Sequence, residues 1–507
     1  MIKNFKWLAL VSLTFVACNS SDDVVSDPNS TDGTPLTAGS ADFSKYVALG
    51  DSFAAGFSDG ALFAEGQKTA YPNILATQFA LVGGGEFTTP WMDDNIGGFS
   101  SGGVQIPQFG PRLYLNTAIN KPAPVSGISG TDISAHLTGQ FTNMGIPGAK
   151  SYHLLFDGYA AANPYFGRFA SGSSATVLGD ALAQTPTFFS LWIGGNDELG
   201  YATAGGDASL NPLTPTNIFD QSYNLLMTQL TSGGRKGVIA NLPYVTTLPY
   251  FYVIKYDQLA QSDLTVNNVS QVGALNAQLY GPLHNALAFL GQGDRINLLS
   301  TTGNNPMVMV DETLPNLATS LAAVLQGGGL DAQTAGYLGQ VFGQARQTKS
   351  TDLICLSAAT RIGQAPSTAI DGVASLSPLL SKLGVTFPLP DRYVLLPGEV
   401  DEIKAATDSY NAIIEAAAAT YDVAFVNAKD VMTQLTTTGI VDGAYTMTAT
   451  YVTGNSFSLD GIHPSPKGYA LIANKFLQAI NVKYGSNFKG VNLGNYRVLF
   501  PQDPASF

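Results

Sequence analysis

The sequence predicts an α/β fold in which a parallel sheet carries helices on both faces. Four short apolar runs bounded by turn residues occur at 46–50, 186–193, 237–241 and 422–427. Such runs are typical of strands that are buried on both faces of a sheet. Apolar residues recur at helical spacing in four other segments, at 69–82, 216–234, 399–421 and 465–485. Because strands and helices alternate along the chain, parallel pairing is favoured over hairpins.

The chain from 280 to 398 interrupts this alternation. It contains two mostly apolar helix candidates joined at a Gly-rich turn, followed by a Pro-rich return. We interpret this segment as an insertion in one domain that spans 43–507. Two roles remain open for it: a lid over a pocket, or a structural subdomain away from any site. Residues 84–140 are rich in Gly and Pro, and we expect long irregular connections there.

The first 18 residues predict an export signal that is not part of the fold. Lys3 and Lys6 precede an apolar run from Trp7 to Ala17, which is too short to cross a bilayer. A cysteine directly after this run resembles the end of a bacterial lipoprotein signal. Cleavage there would leave Cys18 as a lipid-modified N-terminus. A plain signal peptide cut nearby is the alternative.

Residues 19–42 are polar, acidic and rich in Ser, Asp, Gly and Pro. A segment of this composition does not bury enough apolar surface to fold, so we expect a flexible tether. The Ser-Ser-Asp-Asp run after Cys18 resembles the acidic export signals of surface lipoproteins. We therefore expect a protein of the cell envelope, anchored by lipid to the outer membrane, with surface exposure as one option.

Charge and cysteine content exclude some classes of function. The formal net charge of −13 and the pI of about 4.6 argue against nucleic-acid binding, which requires clustered Lys and Arg side chains. Cys355 is the only cysteine besides Cys18. If Cys18 is lipidated, no disulfide can form within the chain. Cys355 lies among apolar residues and is expected to be a buried hydrophobic side chain.

Small and polar residues follow the predicted strands. Ser52 lies just after the first strand, and Asn196 lies just after the second. Gly148 belongs to a Gly-rich loop that follows a possible short strand at 140–142. Ligands of open parallel sheets bind outside the carboxyl ends of the strands, so these residues are expected near one edge of the sheet.

Asp460 and His463 lie three residues apart, just before the last predicted helix. A hydrolytic serine needs a base, and the base needs a partner that fixes its tautomer. At this spacing in a turn, the Asp460 carboxylate can reach Nδ1–H of His463 and leave Nε2 free for Ser52. The spacing alone is a weak signal, because Asp-x-x-His often arises by chance.

Taken in order, these motifs resemble the conserved blocks of the GDSL or SGNH hydrolase family. The first, second, third and fifth blocks of that family are matched by 50–52, 143–148, 194–197 and 460–464. The resemblance covers about 44–245 and 399–485. It implies a flavodoxin-like three-layer α/β/α fold and ester hydrolysis without a metal or other cofactor.

The resemblance also implies roles for five residues. Ser52 would be the nucleophile, with His463 and Asp460 completing the triad. The N–H groups of Ser52 and Gly148 and the side-chain amide of Asn196 would form the oxyanion hole, which requires such donors. Gly145 is a neighbouring candidate for the role of Gly148. Residue 53 is a phenylalanine where the motif name has leucine, and the third and fifth blocks are unusually far apart.

The substrate is less well specified than the chemistry. The apolar segment 280–398 favours a lipid or another ester with a longer acyl chain. Surface lipoproteins also serve glycan use, so an acetyl group on a polysaccharide is the alternative. A rival from another class is a surface binding protein that kept the fold without catalysis. The sequence does not specify the oligomeric state.

Two other motifs argue for different chemistry. The segment 98–102 matches the G-x-S-x-G nucleophile elbow, but its flanks predict neither the strand nor the helix that the elbow needs. Asp51, Asp197 and Glu198 suggest the paired carboxylates of glycosidases. We expect instead that Asp51 and Asp197 bind backbone N–H groups of their own loops.

Overall fold

The computed structural model describes residues 34–374, 377 and 380–506. The candidate export signal, Cys18 and most of the expected tether lie outside these residues, so the expectations for them stay predictions. Among the described residues, no helix combines the length and apolar character needed to cross a membrane.

Five parallel strands form the central sheet. They are β1 (Tyr46–Gly50), β2 (Asn143–Gly145), β3 (Phe188–Trp192), β4 (Lys236–Ala240) and β5 (Ala424–Val426). Their spatial order is β5-β4-β3-β1-β2. The four main strand predictions are confirmed. The prediction of a short strand at 140–142 is wrong in position, because Thr142 is hydrogen-bonded to Thr88 and the strand forms at β2.

The helices lie between and after these strands. They are α1 (Ser52–Ala55), α2 (Ala64–Lys68), α3 (Tyr71–Ala80), α4 (Tyr159–Ala162), α5 (Pro164–Gly167), α6 (Val177–Ala183), α7 (Asn196–Thr203), α8 (Thr216–Thr231), α9 (Val272–Leu275), α10 (Gly281–Phe289), α11 (Ala318–Gly327), α12 (Ala332–Phe342), α13 (Thr368–Asp371), α14 (Pro397–Thr420), α15 (Ala428–Thr436) and α16 (Pro466–Tyr484). The four main helix predictions correspond to α3, α8, α14 and α16 and are confirmed.

Side chains of β3 are buried on both faces of the sheet, and those of one face contact two helices. The ring of Phe188 contacts α3, and the ring of Trp192 contacts both α3 and α16. Successive side chains of a strand point to opposite faces, so Phe189 and Leu191 face the other side and are also fully buried. A second helix pair, α8 and α14, packs together through stacked Phe219 and Tyr410 rings 4.2 Å apart. The α/β class is therefore confirmed.

The connection at 84–140 is mainly irregular, as expected. Two short hairpins occur within it, Ser100–Ser101 with Val104–Gln105 and Leu113–Asn116 with Lys121–Pro124. Two further hairpins occur elsewhere among the described residues, Thr265–Val266 with Val269–Ser270 and Ile440–Asp442 with Tyr445–Met447. Two antiparallel pairs join segments that are far apart in the chain, Val308–Val310 with Ala345–Gln347 and Leu353–Ile354 with Val394–Leu395.

Residues that follow β4 and precede β5 in the sequence form a second hydrophobic core. Its buried residues run from Ile254 to Leu396 and include side chains of α10, α11 and α12. The two helix candidates in this part of the sequence correspond to α11 and α12. The core begins well before residue 280, so the chain leaves the sheet earlier than the sequence suggested. Cys355 is fully buried, as expected, although it packs with the core around the sheet.

The end of the expected tether is attached to the folded body. The side chain of Asn487 accepts a hydrogen bond from Thr37 N and donates one to Pro35 O. Ser40 N donates to Tyr484 O at 2.8 Å, at the end of α16. The prediction of a free tether through residue 42 is therefore wrong for these last residues. Backbone hydrogen bonds and the burial of Ala41 hold these residues in place, although their composition predicted a flexible segment.

Candidate active site

Ser52 stands at the junction of β1 and α1. Asp51 caps this short helix, because its Oδ1 accepts a hydrogen bond from Phe53 N at 2.9 Å. Gly50 leaves no room for a side chain, since a Cβ there would lie 2.6 Å from the Trp192 carbonyl and 2.8 Å from the Ala54 Cβ. Small residues before and after Ser52 therefore allow the helix to pack closely on the sheet and hold the serine at its edge.

The structure brings Ser52, His463 and Asp460 together. His463 Nε2 lies 2.8 Å from Ser52 Oγ, although 411 residues separate the two in sequence. His463 Nδ1 lies 2.8 Å from Oδ2 of Asp460. The histidine is thus placed between a hydroxyl and a carboxylate, as the sequence analysis expected. The rings of Phe57 and Phe53 lie 4.6 and 5.5 Å from the imidazole and limit its movement.

The carboxylate of Asp460 is held by many donors. Its Oδ1 accepts from Ile462 N, His463 N and Ser458 Oγ at 2.9, 2.8 and 3.0 Å, and its Oδ2 accepts from Gly60 N at 2.9 Å. Burial raises the pKa of Asp460, but the facing His463 and the backbone N–H groups outweigh burial and lower it overall. Asp460 therefore remains ionised and keeps a fixed orientation toward Nδ1.

Ser458 and Asp59 support this carboxylate, and the sequence analysis missed both. Asp59 N donates to Ser458 Oγ at 2.9 Å, and Asp59 Oδ1 accepts from Leu459 N at 2.8 Å. Burial and the nearby charge of Asp460 together raise the pKa of Asp59 to about 7, against the lowering effect of the Leu459 N–H group. Ser458 lies two residues before Asp460, so its proximity was visible in the sequence. Asp59 is 400 residues from Leu459, and no local pattern indicated the contact.

The expected oxyanion donors lie around the same strand ends. Asn196 Nδ2 donates to Ala149 O at 3.1 Å, which orients the amide and leaves its second N–H available. Gly148, next to Ala149, has a φ of +81°, a conformation that favours glycine. Gly145 N already donates to Asn143 Oδ1 at 3.0 Å, so Gly145 is engaged in its own loop.

A narrow cleft, partly open to solvent, contains Ser52 and Asn196. Its other lining residues are Asp51, Phe53, Trp192, Gly195, Leu199, Leu242, Pro243, Val245, Leu248 and Ile462. Gly148 is not one of them. None of the described residues of 280–398 lines the cleft. The two roles expected for this segment, a lid or a structural subdomain, stay predictions.

The carboxylates of Asp197 and Glu198 form hydrogen bonds outside the cleft. The Asp197 carboxylate accepts from Ser151 N and from Ser151 Oγ, both at 2.8 Å. Glu198 accepts from Thr407 Oγ1 at 2.6 Å. Both carboxylates are fully buried, and burial raises the pKa of each. Asp197 does accept from a backbone N–H group, but that group is in the loop of Ser151 and not in its own loop, so the expectation is wrong in this detail. The paired-carboxylate interpretation has no support.

The segment 98–102 does not form a nucleophile elbow. Ser100 is buried on a two-residue strand, and the chain then turns back in a hairpin instead of entering a helix. The elbow geometry requires a strand, a sharp turn and a helix. The expectation that this motif is a chance match is therefore confirmed.

One group of carboxylates has the donor set of a metal site. Glu312, Asp391 and Glu399 each place one oxygen within 4.8 Å of the others, among the described residues. Burial and the repulsion between these groups raise the pKa of Asp391 and of Glu399. Acidic groups often lie close together without an ion, so this proximity does not assign a metal.

An α/β sheet whose first strand presents a serine bonded to a His–Asp pair has the arrangement of a serine hydrolase. The family model described as GDSL-like Lipase/Acylhydrolase matches residues 337–476. This match supports the GDSL/SGNH hydrolase family. It contains Asp460 and His463, covers well under half of the chain and does not reach Ser52. Among curated proteins and among solved structures, no match to this chain was found.

Proposed function

We propose that the protein hydrolyses carboxylic esters with Ser52 as nucleophile, His463 as general base and Asp460 as its orienting partner. The observation that carries this proposal is the 2.8 Å contact between His463 Nε2 and Ser52 Oγ. This distance lies within the range over which a base can take a proton from a hydroxyl. The match to a lipase/acylhydrolase family model supports the same class of reaction.

In the first half of the reaction, Ser52 Oγ attacks the carbonyl carbon of the ester. His463 Nε2 takes the hydroxyl proton, and Asp460 stabilises the imidazolium that forms. The tetrahedral intermediate then collapses. The bond to the alcohol oxygen breaks, and the leaving alcohol receives the proton from His463.

In the second half, water attacks the carbonyl carbon of the acyl-enzyme. His463 takes a proton from this water, and the second tetrahedral intermediate collapses to release the carboxylic acid. The proton returns to Ser52 Oγ, so the enzyme is restored. The same imidazole thus acts as base and acid in both halves.

We assign the oxyanion hole to the N–H groups of Ser52 and Gly148 and to the side-chain amide of Asn196. Asn196 lines the cleft with Ser52, and its amide is oriented by the Ala149 carbonyl. Donors that are held in place before the reaction stabilise the developing negative charge without reorganising. Gly148 is preferred to Gly145, because the N–H of Gly145 is already bonded to Asn143.

A rate comparison with p-nitrophenyl acetate and butyrate tests this proposal. Ser52→Ala and His463→Ala should each lower kcat by at least about 10⁴-fold, because either change removes the nucleophilic route. Ser100→Ala is the matched control, since this buried serine belongs to the chance motif and should leave kcat unchanged. If both triad variants keep the kcat of the wild-type protein, the assignment of Ser52 and His463 is refuted. If Ser100→Ala folds normally but loses activity, Ser100 would replace Ser52 as the assigned nucleophile.

For the N-terminus we propose a lipid anchor on Cys18. Lys3, Lys6, the apolar run and the cysteine directly after it support this proposal. Cys18→Ser should move the protein from the detergent phase to the aqueous phase in a detergent phase separation. Equal partition of the two proteins would favour a plain signal peptide.

A further inference from the structure

Residues 57–60, which we call the clamp loop, connect the two parts of the triad that are far apart in the sequence. The loop begins just after the helix that carries Ser52, and Phe57 N donates to Ser52 O at 3.0 Å. The same loop contacts the segment that contains Asp460 and His463. The nucleophile and its base are thus both attached to these four residues, although 411 residues separate them in the chain.

Every residue of the clamp loop forms a hydrogen bond to the segment 458–469. The donors and acceptors are Tyr469 Oη to Phe57 O at 2.7 Å, Ser58 Oγ to Pro464 O at 3.2 Å, Asp59 N to Ser458 Oγ at 2.9 Å, Leu459 N to Asp59 Oδ1 at 2.8 Å and Gly60 N to Asp460 Oδ2 at 2.9 Å. The Phe57 ring also lies 4.6 Å from the His463 ring. The loop therefore holds the carboxylate, the imidazole and the helix that follows them.

Asp59 is the residue of the clamp loop with the most unusual environment. It is buried, and its backbone has a φ of 51°, a left-handed conformation that is uncommon for residues other than glycine. Its Oδ1 accepts from Leu459 N, whereas its Oδ2 is buried and has no hydrogen-bond partner among the described residues. Burial of a carboxylate and a left-handed backbone both cost free energy, so tertiary packing must hold this residue in place. The contact that its carboxylate makes is with the residue directly before Asp460.

We propose that Asp59 is a positioning residue of the triad and that the clamp loop sets the distance between Ser52 Oγ and His463 Nε2. This inference rests on the proposed ester hydrolysis and adds the residue that fixes the geometry of the two reacting side chains. Through its carboxylate, Asp59 holds the turn that carries Asp460 and His463. Through its backbone, it is attached to the helix of Ser52. Loss of the carboxylate should let the two parts of the triad move relative to each other.

The expected effect is on kcat and not on KM. A displacement of about 1 Å between reacting groups can lower a rate about 10²-fold, because proton transfer and attack depend on close approach. None of the residues 57–60 lines the cleft that contains Ser52, so substrate binding should change little. A role that is only structural would lower stability and the amount of folded protein, but it would leave kcat per folded molecule unchanged.

Three substitutions separate the carboxylate of Asp59 from its backbone conformation. Asp59→Ala removes the acceptor for Leu459 N and disfavours the left-handed backbone. Asp59→Gly also removes the acceptor but adopts this conformation readily. Asp59→Asn keeps an acceptor oxygen toward Leu459 N and tolerates a positive φ. Asp422→Ala is the matched control, because Asp422 has a similar φ of 55° at an exposed position before β5. Circular dichroism melts of the full chain establish that each variant is folded.

In the first experiment kcat and KM are measured on p-nitrophenyl acetate. We expect Asp59→Ala and Asp59→Gly to lower kcat at least about tenfold with KM within about twofold of wild type. Asp59→Asn should restore kcat to within about threefold, and Asp422→Ala should match wild type. Wild-type kcat in Asp59→Gly would overturn the positioning role while the ester hydrolase proposal stands. Equal losses in Asp59→Gly and Asp59→Asn would overturn it too, because the hydrogen bond to Leu459 N would then not be the cause.

A further variant keeps the inference testable if Asp59→Ala and Asp59→Gly do not fold. Tyr469→Phe removes the hydroxyl that donates to Phe57 O and changes no residue of the clamp loop. We expect it to lower kcat at least about threefold with KM unchanged, since one attachment of the loop is lost. Wild-type kcat in Tyr469→Phe would overturn the clamp loop as the element that sets the triad distance.

The second experiment does not depend on catalysis. Crystal structures of the wild-type protein and of Asp59→Gly, or of Tyr469→Phe in its place, give the distance between Ser52 Oγ and His463 Nε2. We expect this distance to exceed about 3.5 Å in the variant, beyond the range of a hydrogen bond. Such a change supports the clamp loop even if the wild-type protein hydrolyses no ester, in which case only the proposed function fails. An unchanged distance in the variant overturns the inference.

Discussion

Replacing Asp460 by asparagine tests the geometry of the triad most directly. Each oxygen of the carboxylate faces donors: Oδ1 faces Ile462 N, His463 N and Ser458 Oγ, and Oδ2 faces Gly60 N and His463 Nδ1. An amide must turn its NH₂ toward one of these sets. The Oδ2 side has fewer donors, so we expect the NH₂ there, facing Nδ1.

This orientation reverses the tautomer of His463. With an N–H group facing it, Nδ1 must act as the acceptor, and the ring proton moves to Nε2. Nε2 would then donate to Ser52 Oγ instead of accepting its proton. A wrong tautomer of this kind lowers kcat by about 10⁴-fold in a serine protease triad, which corresponds to about 5.4 kcal/mol of transition-state stabilisation. The Gly60 N–H also loses its acceptor, but Gly60 is exposed, so water can take over this hydrogen bond and the resulting loss of stability is small.

The assay combines rate and stability. We expect Asp460→Asn to lower kcat on p-nitrophenyl acetate by about 10³–10⁴-fold with little change in KM, because the substrate cleft is untouched. The lowered pKa of Asp460 stabilises the native state at pH values above 3.8, the ordinary pKa of an aspartate, and this contribution is lost as the pH falls through the lower native pKa. The difference in melting temperature from wild type should therefore shrink in acid.

The control is Asp401→Asn, which makes the same chemical change at an exposed position of α14 and should match wild type in both measurements. If Asp460→Asn keeps more than about a tenth of wild-type kcat, His463 does not depend on this carboxylate for its tautomer. That result would refute the roles assigned to Asp460 and His463.

Three further predictions follow from burial and position. Asp51→Asn should raise the melting temperature near pH 8 by the equivalent of about 3 kcal/mol and leave it unchanged near pH 4. Burial raises the pKa of Asp51 to about 6, so the buried charge destabilises the native state only above that pH. Equal shifts of the melting temperature at both pH values would contradict this prediction. Asn196→Ala should lower kcat about 10²–10³-fold with little change in KM, since one oxyanion donor is lost; a loss below about fivefold would remove Asn196 from the oxyanion hole. Iodoacetamide should modify Cys355 only after unfolding, because the thiol is fully buried and burial raises its pKa; peptide mass spectrometry that finds rapid modification of the native protein would disprove this.

Local patterns were sufficient for the elements around the site. The strand predicted at 46–50 is β1, because all five of its residues are buried and apolar runs of this length bounded by turns form such strands. Ser465, directly before α16, caps this helix, since its Oγ accepts from Gly468 N at 3.0 Å. Caps and short strands depend on neighbours in sequence, which is why the pattern predicted them.

The supporting residues of the site were beyond such patterns. Asp59 reaches Ser458 across 399 residues, and Gly60 reaches Asp460 across 400. These features arise only when distant segments pack, so neither composition nor spacing indicated them.

The sequence by itself determined the α/β class, the order of the strands and helices, and the residue types at the strand ends. It also placed Asp460 close enough to His463 for a local contact, because three residues in a turn bring a carboxylate to Nδ1. Only the tertiary structure decided that Ser52 lies 2.8 Å from His463 and that residues 35–41 are attached to the body. Packing between segments far apart in the chain sets those distances, and no local preference contains that information.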